Sequence, residues 1–288
     1  MPELPEVEVT ARLLDEATRG ATIQSTLAPG VNALKTFDPP LHALDNGTIA
    51  GITRRGKLLL IDVDTPDRGR IVVLVHLMNA GRLQLFDKRA SLKDRTSRLL
   101  LRLDGDRELR LREFGTKQAA WVRLYTPETV ETDEQLATLG PEAWPDPPEA
   151  GTLRESLHAA RPLHTLLRDQ RVIAGIGRTW VDDILWAAEL SPFKRGDDLS
   201  EEEAAALHGA IVAQLGGAIA YYAEHWKLPL PDKQVKVARI HAHQGGPCPR
   251  CGTTLEAVFF EDYVMTYCPR DQTGGRILKD RRLSRLLK

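Results

Sequence analysis

Between residues 46 and 125 the chain alternates short apolar runs with tight turns, and this restricts the folds open to it more than any other feature. Ile52-Thr53 leads into a turn at Arg55-Gly56, and Leu58 to Ile61 follows. Ile71 to His76 and Leu83 to Phe86 flank a turn containing Gly81. Leu99 to Leu103 and Leu109 to Leu111 bracket Asp104-Gly105-Asp106, a hairpin signal, and Ala119 to Leu124 is a further strand. Consecutive strands joined this tightly predict an antiparallel sandwich or barrel, not a doubly wound α/β sheet.

Helical patterns flank this region. Residues 5 to 18 carry Val7, Ala11, Leu14 and Ala17 at three- and four-residue spacing, with Gly20 as a stop. Residues 141 to 149 hold four prolines and read as a linker. Beyond them, Ser200-Glu-Glu-Glu203 is a capping box ahead of an i,i+4 stripe of Leu207, Ile211, Leu215 and Ile219, which Pro229 and Pro231 close off. A small cysteine-containing module begins near residue 240. The expected division is therefore a β-rich domain over 1–140, a linker over 141–150, a helical domain over 151–239 and a terminal module over 240–288. A length of 288 residues suits about two domains. There is no internal repeat, no run of about 18 uncharged apolar residues to span a membrane, and no apolar leader after the acidic start Met1-Pro2-Glu3.

Net charge is −1, which on its own argues against a polyanion partner. The average conceals a split: residues 233–288 carry eleven Lys and Arg against five Asp and Glu, and the remainder is acidic. A basic end on an acidic body fits either a polyanion-binding tail or a solvated terminus.

Four local constellations suggest chemistry. Cys248-Pro-Arg-Cys251 is followed, after sixteen intervening residues, by Cys268-Pro-Arg-Asp271, the two-knuckle spacing of a zinc ribbon with Asp271 in the place of a fourth cysteine. Three thiolates and a carboxylate can complete a structural zinc tetrahedron, and His241 and His243 are nearby substitutes. The alternative is a metal-free ribbon held by packing. If Met1 is removed, Pro2 presents a secondary amine whose pKa near 8 leaves much of it nucleophilic at neutral pH, with Glu3 and Glu6 close by to move protons. Two glutamates at a helix start equally fit dipole compensation. Lys57 projects from the Arg55-Gly56 turn, and Arg112 and Phe114 pair a cation with an aromatic that could fill the gap left by an extruded nucleotide. Both also read as an ordinary turn lysine, and as a core phenylalanine beside a surface arginine. Gly175-Ile-Gly177-Arg178 enters a helix in a way that suits a phosphate.

Taken together, Pro2-Glu3-Leu4-Pro5-Glu6-Val7-Glu8, Arg55-Gly56-Lys57, the Arg-x-Phe-Gly at 112–115, Ile173-Ala-Gly-Ile-Gly177 and the Gly-Pro-Cys248 ribbon resemble the formamidopyrimidine-DNA glycosylase/endonuclease VIII family, in the family's order and along nearly the whole chain. The resemblance implies an α+β protein. Its parts are an N-terminal eight-stranded antiparallel β-sandwich with flanking helices, then a helix–two-turn–helix domain carrying a zinc-ribbon β-hairpin. It implies bifunctional base excision on damaged double-stranded DNA by a monomeric bacterial cytoplasmic enzyme associated with the nucleoid, with one structural Zn2+. Pro2 is then the nucleophile at the sugar C1′, Glu3 the general acid/base, Glu6 a supporting carboxylate and Lys57 an aid near the phosphate. Arg112 and Phe114 match the void-filling pair.

The departures fall where DNA is read. Asn79 stands where many members place an intercalating methionine, with Met78 adjacent, and Arg178 stands in place of a phosphate-binding asparagine. Tyr263 replaces a DNA-contacting arginine, and Asp271 replaces the fourth zinc cysteine. The stretch between Glu224 and Ile240 is short for the loop that covers 8-oxoguanine, which argues against that base as the preferred lesion. A non-catalytic binder of abasic or distorted DNA is the alternative these changes favour, and a protein-binding role for the ribbon and tail is the third. The tail from Thr273 to Lys288 is expected to add phosphate contacts.

Overall fold

The computed structural model describes residues 1–91, 94–233, 235–260 and 263–278. It divides into two compact units, one of Met1–Thr138 with Ile219–Gln234 and the other of Leu139–Ala218 with Val235–Lys288. The first crossing lies beside the proline run. The second lies inside a helix, just after Gly216-Gly217, and the helix continues through it to His225.

The first unit opens with helix α1 (Leu4–Thr18), followed by strands β1 (Ile23–Leu27), β2 (Thr48–Arg55), β3 (Leu58–Thr65), β4 (Gly69–His76), β5 (Gly81–Phe86), β6 (Ser97–Leu103), β7 (Glu108–Glu113) and β8 (Trp121–Tyr125). The strands form two four-stranded sheets, β1-β6-β7-β5 and β2-β3-β4-β8, with antiparallel pairing throughout. The expected sandwich is therefore present. Its core takes Ile49, Ile61, Val73 and Val122 from one sheet and Leu83, Leu99, Leu101 and Leu111 from the other, with Val7, Ala11 and Leu14 of α1 packed among them. The β6–β7 turn has the backbone its sequence demands, since Gly105 and Asp106 both adopt φ of 64°. Short helices α2 (Pro127–Val130) and α3 (Glu134–Ala137) close this part of the chain.

The second unit contains α4 (Ala150–Ser156), α5 (Leu163–Leu166), α6 (Arg178–Ala187), most of α7 (Glu201–His225), the hairpin β9 (Glu256–Phe259) and β10 (Val264–Tyr267), and α8 (Pro269–Thr273). The capping box at the start of α7 is formed: Ser200 N–H donates to Glu203 Oε2 at 2.8 Å, and Glu203 N–H donates to Ser200 Oγ at 3.2 Å. Leu207, Ile211, Leu215 and Ile219 are all buried. One expectation needs correction. With a mean hydropathy of 1.3 over 18 residues, α7 is long and apolar enough by composition to cross a membrane. His208 and Gln214 interrupt its apolar run but leave the average high, and the helix uses its leucines and isoleucines in the core instead.

Two adjacent aspartates of α6 anchor the terminal module. Buried Asp183 accepts backbone N–H groups of Arg239, Ile240 and His241 at 2.5, 3.1 and 3.2 Å, while Asp182 accepts Thr266 N–H of β10 at 3.0 Å. Burial raises the Asp183 pKa, and these three hydrogen bonds oppose it.

Candidate active site and metal cluster

The N-terminal head is buried. Pro2 is covered, Glu3 is 2% exposed and Glu6 is fully buried. Glu3 is the N-cap of α1, and its N–H donates to Glu6 Oε2 at 2.8 Å. The other Glu6 oxygen, Oε1, accepts from the Tyr222 hydroxyl at 3.0 Å. Glu6 is thus a clamp on the backbone of Glu3, and both its oxygens are engaged in holding the terminus.

The register of this head against the sheet is fixed by polar ties. Arg54 Nε lies 2.6 Å from Glu8 Oε2, Ile52 N–H donates to Asp15 Oδ1 at 2.7 Å, and Arg19 donates to Ala50 O at 2.5 Å. These bind α1 to β2, whose end turns through Gly56 (φ 55°) into Lys57, which is 8% exposed. A left-handed residue there favours glycine. Beside Lys57 stands His76, stacked on Trp121 with centroids 5.6 Å apart. Burial and the Lys57 charge lower the His76 pKa to about 4, so the ring is neutral near pH 7, and its Nδ1 accepts Met78 N–H at 2.9 Å.

The turn between β4 and β5 presents Asn79 to solvent, next to Met78 at φ 49°. It abuts the end of β7, where Phe114 N–H donates to Ala80 O at 3.2 Å. Glycine is required on both sides: a Cβ at Gly81 would meet Leu77 O at 2.4 Å, and one at Gly115 would meet Ala80 Cβ at 2.9 Å. The structure thus brings Asn79 and Phe114 to adjoining turns. Arg112 lies 4.7 Å from the Phe114 ring centroid, so the cation–aromatic pair is assembled. Its guanidinium is engaged, however, donating to Asp232 Oδ1 at 2.9 Å, Thr96 Oγ1 at 3.0 Å and Gln84 Oε1 at 3.2 Å. Arg82, cross-strand from Arg112, has its pKa lowered by burial against the pull of Glu6 and Asp232.

In the second unit, Arg178 is the first residue of α6, after Gly175 (φ 105°) and the N-cap Gly177. Its guanidinium lies 5.0 Å from the Tyr263 ring centroid. The four residues of the two knuckles converge: one ligand atom from each of Cys248, Cys251, Cys268 and Asp271 falls within 4.8 Å of the others. Cys251 and Cys268 sulfurs are 3.5 Å apart, and Cys248 Sγ is 3.4 Å from Asp271 Oδ2. Trp186 Nε1–H donates to Cys248 Sγ at 3.3 Å and Asp271 N–H to Cys268 Sγ at 3.5 Å, donors that suit thiolates. Burial pushes the Cys268 thiol up to about 12, an environment in which a cation would be needed to hold the thiolate. The donor set fits a tetrahedral divalent metal. The substitute ligands named from sequence are used elsewhere: His241 Nδ1 sits 2.7 Å from Asp182 Oδ2 and His243 Nδ1 sits 3.0 Å from Arg239 O.

Sequence reasoning missed His76, Tyr222, Asp232 and Arg168. Only His76 carried a signal, as a polar residue closing an apolar strand beside the Lys57 hairpin. The basic tail from Lys279 to Lys288 lies outside the described residues.

Comparisons with known proteins agree with this arrangement. Sequence models of the formamidopyrimidine-DNA glycosylase N-terminal domain and of the formamidopyrimidine-DNA glycosylase H2TH domain match residues 1–116 and 139–228. The formamidopyrimidine-DNA glycosylase of Cytobacillus firmus is 32% identical over 285 residues, covering 94% of this chain and 100% of that protein. A formamidopyrimidine-DNA glycosylase-like protein of Mycobacterium tuberculosis is 42% identical over 126 residues, 44% of this chain and 80% of that one. The structure of Lactococcus lactis Fpg in complex with DNA containing an abasic site superposes with a TM-score of 0.83 at 25% identity, covering 94% of this chain and 99% of that chain. Motif order, fold and full-length relatives converge: the chain belongs to the formamidopyrimidine-DNA glycosylase family of DNA-repair enzymes.

Proposed function

We propose that the chain is a bifunctional DNA glycosylase and AP lyase that removes damaged, chiefly oxidised, bases from double-stranded DNA. The observation that carries the reading is the buried head: Pro2 and Glu3 are clamped through Glu6 and registered by α1 against β2, the strand whose turn carries Lys57.

With Met1 removed, the Pro2 nitrogen attacks C1′ of a flipped nucleotide. The N–C1′ bond forms as the C1′–base bond breaks, and the base leaves with that electron pair and a proton. Glu3 delivers a proton to the ring oxygen as the sugar opens to an iminium. Loss of a C2′ proton breaks the C3′–O bond, a second elimination breaks the C5′–O bond, and water hydrolyses the iminium to free Pro2. Lys57 and His76 stand together as phosphate-facing groups. Asn79, Phe114 and Arg112 form the edge that fills the vacated stack, and Arg178 contacts the backbone with its guanidinium set over the Tyr263 ring. Cys248, Cys251, Cys268 and Asp271 would hold zinc, which when bound would cross-link the knuckle before β9 to the start of α8 and leave no open position for chemistry. One copy of the chain acts on chromosomal DNA in the bacterial cytoplasm.

Borohydride trapping on an abasic-site duplex tests the reading. Wild type, with Met1 removal verified by mass, should form a covalent adduct and cleave the strand, and a chain that retains Met1, with the Pro2 nitrogen blocked, should do neither. Tight binding with no adduct and no cleavage would instead favour a non-catalytic binder of abasic DNA, the role compatible with the Arg112–Asp232 pairing.

A further inference from the structure

Tyr263 gathers more than Arg178. The guanidinium of Arg168, which follows α5, lies 4.4 Å from the same ring centroid. The ring is itself gripped, stacking on Phe260 at 4.4 Å and 9° and on His164 at 5.8 Å and 11°. Two guanidiniums within 5.0 Å of one centroid lie less than about 10 Å apart, where like charges repel unless an anion joins them. No carboxylate does so for Arg168: the neighbouring Asp169 pairs with Arg171 at 2.8 Å and Arg161 at 3.7 Å, and Arg168 has no ion pair among the described residues. Stacking uses the face of the Arg168 guanidinium and leaves its in-plane N–H donors for a ligand. Such donors match the two non-bridging oxygens of a phosphodiester.

We propose that Arg168 and Arg178, racked on Tyr263, form a seat for a DNA phosphodiester, with Arg168 supplying the hairpin-side cation that Tyr263 itself lacks. This rests on the reading of the chain as a DNA-acting enzyme. Tyr263 is then a positioning residue, since its ring sets both guanidiniums and donates nothing to the phosphate.

The test is equilibrium binding of the full chain to a duplex carrying one tetrahydrofuran abasic analogue, between about 50 and 200 mM salt. Arg168→Gln should weaken binding on the order of tenfold and flatten the slope of log K against log salt by about 0.9, the loss of one phosphate contact. Tyr263→Phe keeps the ring and should bind as wild type, whereas Tyr263→Leu should weaken binding as Arg168→Gln does. Arg171→Gln removes an exposed charge already paired with Asp169 and should leave the slope unchanged. A wild-type slope in Arg168→Gln, or equal flattening in Arg171→Gln, overturns the seat. If wild type still cleaves abasic DNA in that event, the seat alone falls. If wild type neither binds nor cleaves, the functional reading falls and the seat with it.

Discussion

Tyr222→Phe deletes one hydroxyl, 216 positions along the chain from the group it serves. That hydroxyl donates to Glu6 Oε1 at 3.0 Å while Glu6 Oε2 holds Glu3 N–H at 2.8 Å, and both Tyr222 and Glu6 are fully buried. No bulk water replaces the lost donor. A hydrogen bond to a charged group is worth about 1.5–3 kcal/mol net, so the variant should lose about 2 kcal/mol of stability. For a unit of this size that lowers Tm by about 4–8 °C. The same loss frees the Glu6 carboxylate to reorient, and the backbone of Glu3 moves with it. If about 1.4 kcal/mol of the positioning is lost in the transition state, single-turnover cleavage of an abasic duplex slows about tenfold. Saturating DNA separates this from weaker binding.

The sharper measurement is a double-mutant cycle with Glu6→Gln. If Tyr222 acts through Glu6, the two changes together should cost less than their sum by at least about 1 kcal/mol in both melting and rate. Additivity within about 0.5 kcal/mol would show that Tyr222 stabilises the fold by packing and has no part in positioning the terminus.

Two further outcomes follow from the site. His76 has a folded-state pKa of about 4 against 6.5 in a free side chain, so the unfolded chain takes a proton that the fold refuses. Stability from this group is complete above pH 6.5 and falls as pH drops toward 4, by about 3 kcal/mol at most, and His76→Gln should show a shallower acid limb in melts across that window. Asp271→Ala should lower zinc affinity more than about 100-fold, judged by metal content after dialysis against a competing chelator, whereas Asp271→Cys should retain the metal. An Asp271→Ala protein with undiminished zinc would remove the carboxylate from the ligand set.

What could be read from the sequence was what short spacing encodes. The hairpins, the α7 capping box and the two knuckles each depend on residues within a few positions of one another, and each formed as expected. Strand β1 was missed because Ile-Gln-Ser-Thr-Leu lacks a clean alternation and owes its place to pairing with β6. Pro2, Glu3 and Lys57 were legible as candidates because their motifs are local. Tyr222, Asp232 and Arg168 were not, because each acquires its role from a partner far along the chain: Asp232 lies 120 positions from Arg112, and Arg168 reaches Tyr263 only once α5 and the hairpin have folded.

The pairing of Arg112 with Asp232 also explains why net charge was a poor guide to a nucleic-acid partner. A long side chain that is to meet a partner is best held extended beforehand, because an unpaired arginine loses rotamer entropy on binding. Here Asp232, Thr96 and Gln84 together hold the guanidinium, with the Arg112 side chain 16% exposed and that of Asp232 55% exposed. Breaking a pair with so open a carboxylate costs little, since ion pairs at that exposure are worth about 1 kcal/mol or less. The better-buried contacts to Thr96 and Gln84 can persist when it breaks. Asp232 thus cancels Arg112 in the sequence average while it holds the guanidinium in place. A net charge of −1 in this way says little about where individual cations stand.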